Sequence, residues 1–243
     1  GAGAGCDGQV LVLHDMLGLN DFMRAMAGRL AEEGYVCLVP DLYWRLEAGV
    51  SLGCTDADLE RAQALRQRFD SERAISDVTA SFETLRGLDA CRGKLGIVGW
   101  SMGGGLALRC AAKLDVACAV SYYGVGLEQY ADELRAIRGP CLLHVGDADA
   151  KLPAATRDAL AASIAPLPHI ELAIYPGSGH SFANPAHRNH DKPAAMMAYS
   201  RTIAVLRREL GPIYDLSRLW DAHTLHEFAT RDVDATMATM VDE

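Results

Sequence analysis

Leu95-Gly-Ile-Val-Gly-Trp-Ser-Met-Gly-Gly-Gly-Leu-Ala-Leu-Arg109 is the stretch whose reading decides the fold. Its first residues are apolar and partly β-branched, the pattern of a short buried strand. Gly99-Trp100-Ser101-Met102-Gly103 follows, and then a run of helix length. A serine with glycines two before and two after it, set between strand and helix, is the G-x-S-x-G nucleophile elbow in the context that motif requires. The turn is so tight that side chains at 99 and 103 would collide. Ser101 is thrust out at the top of the sheet, and the helix N-terminus beneath it favours developing negative charge. The competing reading, a phosphate-cradling loop, fails because Gly103-Gly104-Gly105 has neither the G-x-G-x-x-G spacing nor a Walker lysine.

Working outward, short β-branched runs alternate with amphipathic stretches. This predicts strands near Val10–His14, Tyr35–Pro40, Leu95–Val98, Ala117–Tyr122, Cys141–Val145 and Ile170–Tyr175. Helices are predicted near Asp21–Glu33, Asp56–Phe69, Glu72–Gly87, Met102–Lys113, Pro153–Ala165 and Pro193–Leu210. The alternation predicts an α/β fold, a mostly parallel central sheet flanked by helices. Most strands lack polar alternation, as expected when helices cover both faces.

A serine hydroxyl is a weak nucleophile near neutral pH and needs a base oriented by a carboxylate. In a strand–elbow–helix architecture the chain order is Ser, then Asp or Glu, then His. Leu142-Leu-His-Val-Gly-Asp-Ala-Asp149 reads as a strand ending in an acidic loop, and Ile174-Tyr-Pro-Gly-Ser-Gly-His-Ser-Phe182 as a strand followed by a loop with a histidine. His180 is therefore the expected base and Asp149 its orienter, with Asp147 the alternative acid. His14 lies just before a loop, and His144, within a strand, reads as a hydrogen-bonded core histidine. His187 and His190 cluster with His180 and permit a zinc hypothesis, but no cysteine or carboxylate stands at matching spacing, so no metal is expected. The oxyanion needs two backbone N–H donors. Met102, just after the nucleophile, is one; Met16, in the loop after the first strand, is the other. Asp15, Tyr43, Trp100, Tyr123 and Asn184 are candidate substrate-contacting residues.

The chain has 243 residues, half of them hydrophobic, and a formal net charge of -9. That is enough apolar material for one large core, and the acidity argues against nucleic acid and anionic membrane as partners. No apolar run approaches the ~18 residues of a membrane-spanning helix. Seven cysteines without a C-x-x-C pair, three of them (Cys37, Cys118, Cys141) in strand-like runs, read as buried thiols of a reducing compartment. Gly1-Ala-Gly-Ala-Gly5 shows no structure-forming pattern and reads as a linker or cut end.

Together these residues resemble the dienelactone hydrolase (carboxymethylenebutenolidase-like) family of α/β-hydrolases. The resemblance runs from about Val10 to Leu210. It rests on Leu17-Gly-Leu-Asn-Asp-Phe-Met-Arg24, Gly34-Tyr35, Pro40-Asp-Leu-Tyr43, the elbow, Tyr122-Tyr-Gly-Val-Gly-Leu-Glu128 and Gly179-His-Ser-Phe-Ala183. It implies an α/β-hydrolase fold and a soluble cytoplasmic enzyme that cleaves a small-molecule ester or lactone without metal or organic cofactor. Three departures accompany it. The family's usual nucleophile is cysteine, activated through an acidic residue in the first loop, where this chain has Ser101 and Asp15. The family's substrate-carboxylate arginines fall on Leu59 and Asn184, although Arg61, Arg66 and Arg68 lie near the first. The strands that usually open the family's fold are expected to be missing or cut, since Val10 already reads as the strand feeding the oxyanion loop. Acyl transfer on the same triad, or ligand binding without catalysis, are the competing functions. The oligomeric state, monomer or dimer, is open.

Gly211-Pro212 breaks the last long helix. Residues 1–211 are thus expected to form the hydrolase domain and 212–243 a helical extension, or the start of a second domain that weakly resembles the opening helices of a nuclear-transport-factor-like fold. Leu216, Leu219, Trp220 and Phe228 are available for one apolar face of it.

Overall fold

The computed structural model describes residues 8–88, 93–212 and 216–240. The glycine-alanine start lies outside them. In chain order the elements are β1 (Gly8–Leu13), α1 (Asp21–Glu32), β2 (Tyr35–Leu38), α2 (Asp56–Arg68), α3 (Ser71–Arg86), β3 (Leu95–Trp100), α4 (Met102–Ala111) and β4 (Cys118–Tyr122). A 3₁₀ turn (Leu127–Tyr130) leads into the short α5 (Ala131–Leu134), followed by β5 (Cys141–Gly146), α6 (Ala154–Ile164), β6 (Ile170–Tyr175) and α7 (Lys192–Leu210). The six strands pair in parallel in the order β2-β1-β3-β4-β5-β6.

Every residue of β1, β3, β4 and β5 is buried. Strand side chains alternate between faces, so a continuous apolar run feeds two cores at once. Leu11, Leu13, Ile97, Ala119, Leu143 and Val145 join α2, α3, α4 and α6 on one face. Val10, Val12, Val98, Trp100, Val120, Tyr122 and Leu142 join α1 and α7 on the other. Only β6, at the sheet edge, shows exposed positions between buried ones. Helix starts are set by side chains: Asn20 accepts from the Met23 amide, Thr55 from Asp58, Asp70 from Glu72 and Arg73, and Asp191 from Ala194. Each such cap contributes about 1 kcal/mol.

Among the described residues, Cys37, Cys54, Cys110, Cys118 and Cys141 are free thiols. Burial raises the pKa of Cys37, Cys110, Cys118 and Cys141 to about 12, so they act as small hydrophobes. No helix among the described residues is long and apolar enough to cross a membrane.

Contacts divide the chain into two compact units, Gly1–Gly211 and Pro212–Glu243. The second holds α8 (Leu216–Thr224), a π-helical turn (Leu225–Thr230) and α9 (Val233–Met237). Trp220 and Phe228, read as available for one apolar face, are 66% and 71% exposed.

Candidate active site

Four loops leave the carboxyl ends of β1, β3, β5 and β6, where open parallel sheets place their sites. After β3 the backbone turns through Ser101 at φ 51° and ψ -112°, a strained conformation outside the helical region. The glycines around it are sterically compelled. A Cβ on Gly99 would stand 2.1 Å from the Gly103 carbonyl oxygen. One on Gly103 would stand 2.4 Å from the Leu13 oxygen, so this glycine also seats the elbow against β1. Ser101 occupies the N-cap position of α4 yet makes no capping hydrogen bond. Its hydroxyl faces His180 instead, with Oγ 2.9 Å from Nε2.

His180 follows β6, and its Nδ1 lies 2.8 Å from Asp149 Oδ2. The other carboxylate oxygen of Asp149 accepts the Lys151 amide at 2.7 Å. Asp149 is buried, and both its carboxyl oxygens have hydrogen-bond partners. With Asp149 accepting at Nδ1–H, Nε2 is left as the acceptor facing Ser101. Asp147, the alternative acid, turns outward and accepts from the Gly177 amide at 2.6 Å. The loop bearing His180 is tied down by residues that sequence reasoning missed. Asn189 donates to the His180 carbonyl at 2.9 Å. Ser178 donates to Asp191, the N-cap of α7, at 2.7 Å. Nothing in a polar loop sequence marks these contacts.

Met16, Ser101, Met102 and His180 line one cavity of about 310 Å³ with Gln63, Arg66, Gln67, Val125 and Lys151. A neighbouring cavity of about 490 Å³ shares Met16, Ser101, Lys151 and His180, and adds Asp15, Leu59 and Arg188. Met102, first in α4, has no intrahelical acceptor for its amide. The Met16 amide has no hydrogen-bond partner among the described residues. Asp15 is buried at the cavity wall, where desolvation raises its carboxyl to about 6 against the opposing pull of the Leu17 amide and His180.

The aromatic candidates divide. Tyr123 is buried with its ring edge-on to His180, centroids 5.2 Å apart, and so backs the histidine. Tyr43 does not reach the cavity wall: its hydroxyl donates to the Met16 carbonyl at 3.2 Å, and its ring packs on His14 and Phe69. Trp100 is a correction. It shares strand parity with Val98, which turns it into the α1/α7 core, stacked on Tyr122. Asn184 is a second. It is buried, holds the Ala186 amide at 3.0 Å and meets Cys54, away from both cavities. Cationic groups at the site are Arg66, Lys151 and Arg188. Arg61 instead pairs with Glu47. The neighbouring histidines are otherwise engaged: His187 Nδ1 accepts from the Asn189 amide at 3.1 Å, and His190 Nδ1 lies 3.1 Å from the Phe182 carbonyl. No group of three or more metal-ligating side chains occurs among the described residues.

A parallel sheet with a serine on a strained strand–helix turn, and a histidine and aspartate on later strand ends, defines an α/β-hydrolase. Comparison with known proteins narrows the class. The dienelactone hydrolase family model matches residues 6–210. Carboxymethylenebutenolidase from Pseudomonas putida is 34% identical over 198 residues, 81% of this chain and 84% of the relative. Carboxymethylenebutenolidase 1 from Cupriavidus pinatubonensis is 33% identical over the same shares. The crystal structure of a dienelactone hydrolase-like promiscuous phosphotriesterase from metagenomic libraries superposes with a TM-score of 0.70 at 20% identity, covering 85% of this chain and 88% of that one. The chain belongs to the dienelactone hydrolase family.

Proposed function

We propose that this hydrolase cleaves a carboxylic ester or lactone through Ser101, His180 and Asp149 by way of an acyl-enzyme. The observation that carries the reading is the continuous hydrogen-bonded relay from Ser101 Oγ through the His180 ring to Asp149, at 2.9 and 2.8 Å, opening on a cavity. Ser101 Oγ attacks the carbonyl carbon as His180 Nε2 takes the hydroxyl proton. Asp149 holds the ring in its Nδ1–H tautomer and stabilises the imidazolium. The Met16 and Met102 amides face the oxyanion. Collapse expels the alkoxide, which receives the proton from His180. Water then attacks the acyl-enzyme by the same route, releasing the acid and Ser101. With a lactone the alkoxide stays tethered, so water must arrive before the ring recloses.

Two facts bear on the substrate. The curated relatives are named carboxymethylenebutenolidases, which supports a lactone. Arg66, Lys151 and Arg188 line the site, and they supply the positive charge that Leu59 and Asn184 do not. We therefore favour a substrate that carries a carboxylate, despite the overall charge of -9. Ser101→Ala is expected to abolish turnover of p-nitrophenyl acetate with an unchanged circular dichroism spectrum; retained turnover would sink the assignment. Arg66→Gln is expected to raise KM several-fold for a carboxylated ester, while a neutral ester of equal size is unaffected. Equal effects on both esters would remove the carboxylate from the proposal.

A further inference from the structure

His14 has no part in the relay, yet it is fully buried at the end of β1 and both ring nitrogens are engaged. The Leu42 amide donates to Nε2 at 2.9 Å. An N–H donor there requires the ring proton to sit on Nδ1, which is 2.6 Å from the Asp15 carbonyl oxygen and therefore donates to it. The Gly18 amide reaches the same oxygen at 3.3 Å. That carbonyl belongs to the peptide unit whose other end is the Met16 amide. In a trans peptide the C=O and N–H point in opposite directions from one plane. Holding the oxygen toward His14 thus aims the Met16 N–H away from it. The next carbonyl, that of Met16, accepts the Tyr43 hydroxyl at 3.2 Å, and the same hydroxyl lies 3.7 Å from Met102 Sδ. Tyr43 in turn packs against the His14 ring, with centroids 5.3 Å apart.

We infer that His14 and Tyr43 are positioning residues that clamp the two peptide units flanking Met16, His14 through the Asp15 carbonyl and Tyr43 through the Met16 carbonyl, and so fix the direction of the Met16 oxyanion donor. The inference rests on the reading of Met16 as that donor. It gives the Pro40-Asp-Leu-Tyr43 segment a purpose: the Leu42 amide sets the His14 tautomer and the Tyr43 hydroxyl seats Met16. Burial lowers the His14 pKa, which keeps the ring in the neutral, single-donor form the clamp needs.

The experiment compares His14→Leu, His14→Asn, Tyr43→Phe and Met16→Pro, using kcat and KM on p-nitrophenyl acetate, the rate of fluorophosphonate labelling of Ser101, and thermal melting as a control of fold. Removing a donor outright, as in Met16→Pro, typically costs ~10²–10³ in rate. His14→Leu, which only frees the donor to rotate, is expected to lower kcat about 10- to 100-fold with KM nearly constant. Asparagine places an amide nitrogen where Nδ1 stood, so His14→Asn is expected to recover most of that loss. Tyr43→Phe removes one oxygen and is expected to cost about five-fold in kcat, one ordinary hydrogen bond. Labelling rates should fall in parallel with kcat.

If Met16→Pro is crippled while folded His14→Leu and Tyr43→Phe keep the parent kcat, the clamp is overturned and the donor stands. If Met16→Pro also retains activity, the donor reading itself has failed and the clamp with it. A loss in His14→Leu that asparagine does not recover, or one confined to KM, marks a packing role and equally overturns the clamp. Should His14→Leu not fold, Tyr43→Phe alone decides.

Discussion

Asp15 is a carboxyl group kept almost out of water, with one oxygen on the Leu17 amide at 2.8 Å and its pKa raised to about 6. Its unfolded value is near 3.8. Between these values the folded chain binds more protons than the unfolded one, so this group's contribution to stability falls as pH rises through that window. Asp15→Asn keeps an acceptor for Leu17 and cannot ionise. It is expected to raise the melting temperature at pH 8 but not at pH 4, by the equivalent of roughly 2–3 kcal/mol at most. An equal effect at both pH values would show that Asp15 is not held protonated by burial. Strain is concentrated around the same spot: Ser101, Tyr123 and Ser181 have φ of 51°, 39° and 65° and lie at or beside the relay. Gly103 is the residue that permits the elbow. Gly103→Ala would drive a methyl into the Leu13 and His14 carbonyls, costing about 1–3 kcal/mol in a melt and most of kcat.

The element that couples fold to site is α7. Asp191 caps it through the Ala194 amide and also holds Ser178, two residues before His180. Asp191→Ala is therefore expected to lower stability by about 1–2 kcal/mol and to lower kcat as well. A cap with no catalytic consequence would leave kcat untouched. At this scale the sequence was highly legible. The six strands and the six longer helices of unit Gly1–Gly211 fall within a few residues of the spans that periodicity predicts, because buried parallel strands and amphipathic helices each write burial into consecutive positions. The turns at Leu127–Leu134 escaped, being too short to establish a period. The segment between β2 and α2 also escaped. It is ordered by long-range contacts such as Arg45 and Trp44 on Asp77, and by a bridge between Gly18 and Ser51.

At the scale of the whole molecule, every residue proposed for chemistry lies in the unit Gly1–Gly211, which has two apolar cores of its own. We propose that this unit is the hydrolase domain and that 212–243 is a separate helical extension. A chain ending at Gly211 is expected to keep the parent kcat/KM on p-nitrophenyl acetate; loss of activity in a folded truncation would make the extension part of the working enzyme. The sequence by itself determined the elbow turn and the layered sheet, because steric closure at Gly99 and Gly103 and the burial of strands are properties of neighbouring residues. Tertiary structure alone decided which groups from distant segments share the cavity: Arg66 from α2, Lys151 after β5 and Arg188 before α7. It alone turned His14 and Tyr43 toward the two peptides that flank Met16. Those meetings depend on how loops cross above the sheet, and a loop carries no period from which its neighbours can be read.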